Sequence, residues 1–145
     1  MKIWPANACI VATGLLLASI HAFAHHGDAG RYEEVITSLT GTVVTLQLIN
    51  PHSIIIVDVE NGSGRTQRWQ VEISNATGLA RIGWTRETLK PGDRVKMAGR
   101  IVKSGAPYIN LSENSRLARG DTCEELFHSG MGSGREPDYP PLSCD

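Results

Sequence analysis

Two histidines, His25 and His26, follow directly on Ala22-Phe23-Ala24. Ala22 and Ala24 stand at the −3 and −1 positions of an A-x-A signal-peptidase site. Cleavage after Ala24 would make His25 the amino terminus. A terminal amine has a pKa of about 7.7–8.0, far below that of lysine, so near neutral pH it releases its proton to a metal at little cost. The amine and the ring Nδ1 of His25 can then close a chelate on one ion. His26 adds another ring nitrogen, or a chelate through the intervening amide. Such nitrogen donors suit Cu(II) in a tetragonal field, and copper heads the divalent affinity series. His52, in Ile49-Asn50-Pro51-His52-Ser53, is a third candidate ligand at a strand start, and His128 is a fourth. Copper is the one cofactor these residues suggest. The plainer alternative is a polar lead-in behind a signal peptide, with His52 in a structural turn.

A second candidate surface lies in Arg65–Ile73. Its alternation puts Trp69, Val71 and Ile73 on one face and Arg68, Gln70 and Glu72 on the other. The first set reads as core, the second as a face for solvent or a partner. Trp69 and Glu72 are three apart on a strand and so point to opposite sides. The sequence carries no Gly-rich phosphate loop, no G-x-S-x-G elbow and no H-E-x-x-H. A binding or accessory protein for a small molecule or protein partner is therefore expected ahead of an enzyme.

The export reading rests on more than the alanines. Lys2 gives a minimal positive start, and Ala8–Ile20 is an apolar run. That run is shorter than the ~20 apolar residues a membrane helix needs. The mature chain has no transmembrane candidate and is expected in the periplasm or outside the cell. It would keep 121 of the 145 residues, with 13 of the 14 basic residues against 15 acidic ones. That near-balance offers no electrostatic footprint for nucleic acid. Cys9 leaves with the signal, so Cys123 and Cys144 remain. A pair in an exported chain is expected to form a disulfide.

The elements that must position these residues are mostly strands. Residues 35–49 are rich in Val, Ile, Thr and Leu, but the alternation slips phase after Val43, close to Gly41. A bulge or bend is expected there. Residues 53–59 and 65–73 flank Asn61-Gly62-Ser63-Gly64 and form a predicted hairpin. Ser74 is a candidate cap for a short helix through Trp84, with Leu79 and Ile82 on one face. Residues 94–102 and 107–112 resume as strands after Pro91-Gly92-Asp93. The fold class is mainly β: a small five-stranded OB-like barrel with one short helix between strands 3 and 4. The expected organisation is a signal peptide (1–24), a flexible lead-in (25–33), the OB-like β domain (34–118) and a loose Gly/Pro-rich tail held by the disulfide (119–145).

A set of ordered landmarks resembles a known family. They are Ala24-His25-His26, Leu39-Thr40-Gly41-Thr42-Val43, Asn50-Pro51-His52, Trp69-Gln70-Val71-Glu72 and the run from Leu79 to Gly99 around Gly83-Trp84 and Pro91-Gly92-Asp93. The chain resembles domain of unknown function family 6152, small exported bacterial proteins. The resemblance implies export and a compact β-rich domain, and no activity. Gly27-Asp28 stands where relatives have Ser-Phe, Ser74-Asn75-Ala76 where they often have Ser-Pro-Asn, and the cysteine tail is additional.

Overall fold

The computed structural model describes residues 30–143. From Tyr32 onward these belong to one compact unit. The strands are β1 (Thr37–Gln47), β2 (Ser53–Glu60), β3 (Thr66–Ile73), β4 (Arg94–Ile101), β5 (Tyr108–Asn110), β6 (Arg116–Arg119) and β7 (Glu125–His128), with one helix, α1 (Ala76–Arg81), between β3 and β4. The order is β1-β2-β3-β5-β4, and β1 also pairs with β4. That last pairing closes a five-stranded barrel. All neighbours are antiparallel except β3 and β5. The five strands and the helix lie where the hydrophobic alternation places them.

The phase slip in β1 is a bulge. Val43 pairs with Val57 but Thr45 pairs with Ile56, so Val44 is the extra residue. Val43 is 2% exposed and faces the core. The bend lets β1 pair with β4 through Thr37–Thr42 and with β2 through Thr42–Gln47. Gly41 is needed at this crossing: a Cβ there would meet Asp58 O at 2.9 Å.

The core collects the inward positions of every barrel strand. Ile55, Val57, Val71, Val95, Met97 and Ile109 are wholly buried. Each such side chain contributes about 1.5–3 kcal/mol through burial. Trp69 is partly buried against this cluster. Helix α1 plugs one end with Leu79, and Trp84 follows it inward. Trp84 Nε1 donates to Leu126 O at 2.9 Å, tying the helical segment to β7.

Two local expectations change. The helix cap is Asn75, not Ser74: Asn75 Oδ1 accepts from Gly78 N at 2.7 Å. Ser74 is still engaged with the sheet, where its carbonyl accepts from Ser53 N at 3.1 Å. Within the segment 119–145, the described residues are also more ordered than a loose tail. Strands β6 and β7 extend the sheet from β4, and β7 lies inside the segment expected to be tail. Arg116 explains the order. Its side chain is 5% exposed and reaches Glu125 at 2.5 Å and Glu136 at 3.1 Å. Its Nε donates to Tyr139 O at 2.8 Å. One guanidinium thus joins β6, β7 and the C-terminal segment. Burial lowers the Arg116 pKa, but hydrogen bonds and charge from Glu125 and then Glu136 outweigh it and hold the group above its ordinary value. The lead-in also docks at its end: Tyr32 bridges Val102, and Glu33 N donates to Ile101 O at 2.8 Å.

Candidate functional site

His52 immediately precedes β2 and Glu72 nearly closes β3. Ile54 pairs with Glu72 across the hairpin. His52 lies two residues before Ile54 and so shares the outward face with Glu72. The two side chains meet: His52 Nδ1 is 2.7 Å from Glu72 Oε1. Strand β5 supplies the rest, because Gln70 pairs with Tyr108 and Glu72 with Asn110. Asn110 Nδ2 donates to Glu72 Oε1 at 3.0 Å, and the Tyr108 hydroxyl donates to Glu72 Oε2. Asn110 is itself fixed, since its Oδ1 accepts from Ser112 N at 2.8 Å and from the Ser112 hydroxyl. Its Nδ2 also lies 3.5 Å from the Tyr32 hydroxyl, and the Tyr32 and Tyr108 rings, tilted by 32°, have centroids 6.4 Å apart.

Three donors thus converge on Glu72, whose side chain is 17% exposed. An ionised carboxylate only accepts, so His52 presents its proton from Nδ1. In the neutral ring the Nε2 lone pair is then turned away from Glu72 and free for an incoming donor or a metal. A histidine held by a carboxylate through one nitrogen is the arrangement that orients metal-ligating imidazoles. His52 and Glu72 also line a cleft of about 240 Å³ with Asn110, Ser112, Phe127 and Met131. Among the described residues no group of three or more His, Cys, Asp and Glu side chains could hold a metal ion.

The other sequence candidates fall elsewhere. His25 and His26 lie outside the described residues, as does Cys144. Arg68 forms a two-point pair with Asp58, Nε to Oδ1 at 2.9 Å and Nη2 to Oδ2 at 3.0 Å. The Arg68 hydrogen bond holds the Asp58 carboxyl below its ordinary pKa, against a smaller opposing effect of burial. Arg68, Gln70 and Glu72 do share a strand face, but each has its own neighbour. Arg68 is engaged by Asp58, Gln70 lies beside Tyr108, and Glu72 belongs to the His52 cluster. His128 is 8% exposed, with Nδ1 3.2 Å from Ser129 O and Nε2 3.6 Å from Glu136 Oε1. Both of its ring nitrogens face protein groups. Sequence reasoning missed Tyr108 and Asn110, whose signal was the register of a parallel pairing between β3 and β5.

No described helix is long and apolar enough to cross a membrane. No curated protein and no solved structure shows a significant match. A family model described as a family of unknown function, DUF6152, matches residues 12–108. The match takes in β1 to β4 together with His52, Glu72 and Tyr108, and it covers more than half of the chain, so the protein belongs to DUF6152.

Proposed function

We propose that this protein is an exported, periplasmic binding or accessory module whose ligand enters the cleft beside His52. The observation that supports this most is the Glu72 cluster. Tyr108, Asn110 and His52 all spend hydrogen bonds on one carboxylate at the rim of a cleft. Such a cluster holds His52 in one orientation, and a fixed polar group at a cleft mouth is what selective binding needs. The Arg68, Gln70 and Glu72 face continues from the same strand and is the surface for a larger partner. The test is a thermal-shift screen of the mature protein against metals and small molecules, repeated with His52→Ala and with Arg68→Ala/Gln70→Ala. Ligand shifts that vanish only with His52→Ala place the ligand in the cleft. Shifts that survive every substitution would remove both surfaces.

The second reading is copper binding through the mature terminal His25, His26 and His52. It is favoured by the Nδ1 contact from His52 to Glu72, which leaves Nε2 as the ligating atom. It is also favoured by the docking of Tyr32 against Asn110 in the same cluster. Cu(II) titration followed by electron spin resonance tests it, with one alanine added before His25 as the control. Unchanged spectra with the added alanine would exclude a terminal chelate. The Cys123–Cys144 disulfide belongs to the same export reading. It is supported by Lys96 Nζ, which donates to Ser143 O at 2.6 Å and draws the residue before Cys144 onto β4.

A further inference from the structure

A second and larger cleft adjoins the first. It measures about 510 Å³, and Arg100, Glu113, Asn114, Arg135, Glu136 and Asp138 are among its walls. Ser112, Ser129 and Gly130 belong to both clefts and separate them. The far wall comes from the C-terminal segment, which Arg116 clasps through Glu136 and Tyr139 O. Tyr139 N also donates to Asn114 Oδ1 at 2.7 Å. Gly130 lets the segment come close: its φ is +94°, and a Cβ there would overlap the Arg135 carbonyl.

The charges in this cleft are uneven in how they are satisfied. Glu136 is committed, with Arg116 at 3.1 Å and His128 at 3.6 Å. Arg100 is underemployed. Its Nη1 reaches Glu113 only at 3.7 Å, and its buried Nε has no acceptor among the described residues. The Arg100 side chain is 38% exposed, so its guanidinium stays partly accessible to a ligand although Nε itself is buried. Setting Glu136 aside, Arg100 and Arg135 stand with Glu113 and Asp138. A simple anion would meet two carboxylates here, and a simple cation two guanidinium groups. A ligand carrying both charges matches the pattern, because complementary charge placement decides which partners are tolerated.

We propose that this cleft binds a zwitterionic ligand of the amino-acid or short-peptide class. Its carboxylate pairs with Arg100 and Arg135, and its ammonium with Glu113 and Asp138. Guanidinium groups suit the carboxylate end because their fork matches its two oxygens. The volume falls in the range of small-ligand sites. This proposal uses residues other than those of the His52 cleft, so either can fail alone.

The experiment is a titration of the ¹⁵N-labelled mature chain with glycine and with triglycine, read by amide chemical shifts. N-acetylated and C-amidated triglycine are the controls. Saturable shifts at Arg100, Asn114 and Arg135 are expected, with a Kd on the order of 1 mM or below. Each cap should weaken binding about tenfold, the equivalent of about 1.4 kcal/mol. Arg100→Gln and Arg135→Gln should each do the same. Arg135 lies on the surface segment, so that variant stays informative if Arg100→Gln perturbs β4. Tighter binding of glycine would assign the free amino acid, and tighter binding of triglycine the peptide. His52→Ala should leave the titration unchanged. Absence of saturable shifts, equal binding of the capped peptides, or loss of binding in His52→Ala would each overturn the assignment.

Discussion

His52 Nδ1 and Glu72 Oε1 lie 2.7 Å apart, joining the turn before β2 to the end of β3. Neither residue is informative by itself. Together they form an oriented imidazole whose carboxylate partner is held by Tyr108 and Asn110. Glu72→Ala would strand donors around a site where Asn110 is 8% exposed. Leaving buried donors without an acceptor costs about 1–3 kcal/mol. Urea unfolding should show that loss in Glu72→Ala and a smaller one in Glu72→Gln, whose amide oxygen still accepts. An unchanged midpoint in Glu72→Ala would mean the cluster does not contribute to folding.

The Asp58–Arg68 pair makes a prediction about acid. Asp58 has its pKa lowered in the folded protein, chiefly by the Arg68 hydrogen bond. A lowered carboxylate stabilises the fold in full above its unfolded value of about 3.9. The contribution is lost as pH falls through the lower folded value. Stability from this pair therefore rises with pH in the acidic window and is flat at neutral pH. The effect is small, because the pair is solvent-exposed and screened. A carboxyl-carbon titration should place the Asp58 midpoint below that of an ordinary aspartate, and Arg68→Gln should return it toward normal. Equal midpoints in the two proteins would show that Arg68 does not hold the carboxylate.

Barrel closure is sensitive at Gly99. A Cβ there would meet Asn110 O and Leu111 Cδ2, each at 2.5 Å. Gly99 sits in β4 opposite Thr37 of β1, while the next residue, Arg100, pairs with Asn110 of β5. Gly99→Ala must therefore push β4 and β5 apart. Overpacking of this kind costs about 1–3 kcal/mol. Thermal unfolding should show a clear drop in midpoint for Gly99→Ala and little change for Gly62→Ala, where nothing lies within 4 Å of the new Cβ.

Arg116 should govern the C-terminal segment rather than the barrel. Arg116→Ala removes the contacts to Glu125, Glu136 and Tyr139 O together. Glu125 and Glu136 are 34% and 71% exposed and can rehydrate, so the loss is kept below that of a fully buried pair. About 1–3 kcal/mol is expected, the scale of buried donors and acceptors left unpaired. Amide exchange near Tyr139 should quicken in Arg116→Ala while β2 and β3 keep their protection. Uniform acceleration across the barrel would instead make Arg116 part of the global core.

Local pattern was sufficient for much of this molecule. Alternation from Trp69 to Ile73 separates core from surface because side chains change sides at every strand residue. The phase slip after Val43 announces the bulge for the same reason, and the Asn61-Gly62 turn announces the hairpin. The adjacency of His25 and His26 is likewise a property of the linear chain. Tertiary structure decided what met what. Asn110 and Tyr108 join Glu72 through a parallel pairing of β5 with β3, and such a pairing leaves no local turn to count from. Strands β6 and β7 are four residues each, too short and too charged for alternation to reveal. Their order comes from Arg116 buried among partners distant in sequence, and that is a property of packing rather than of pattern.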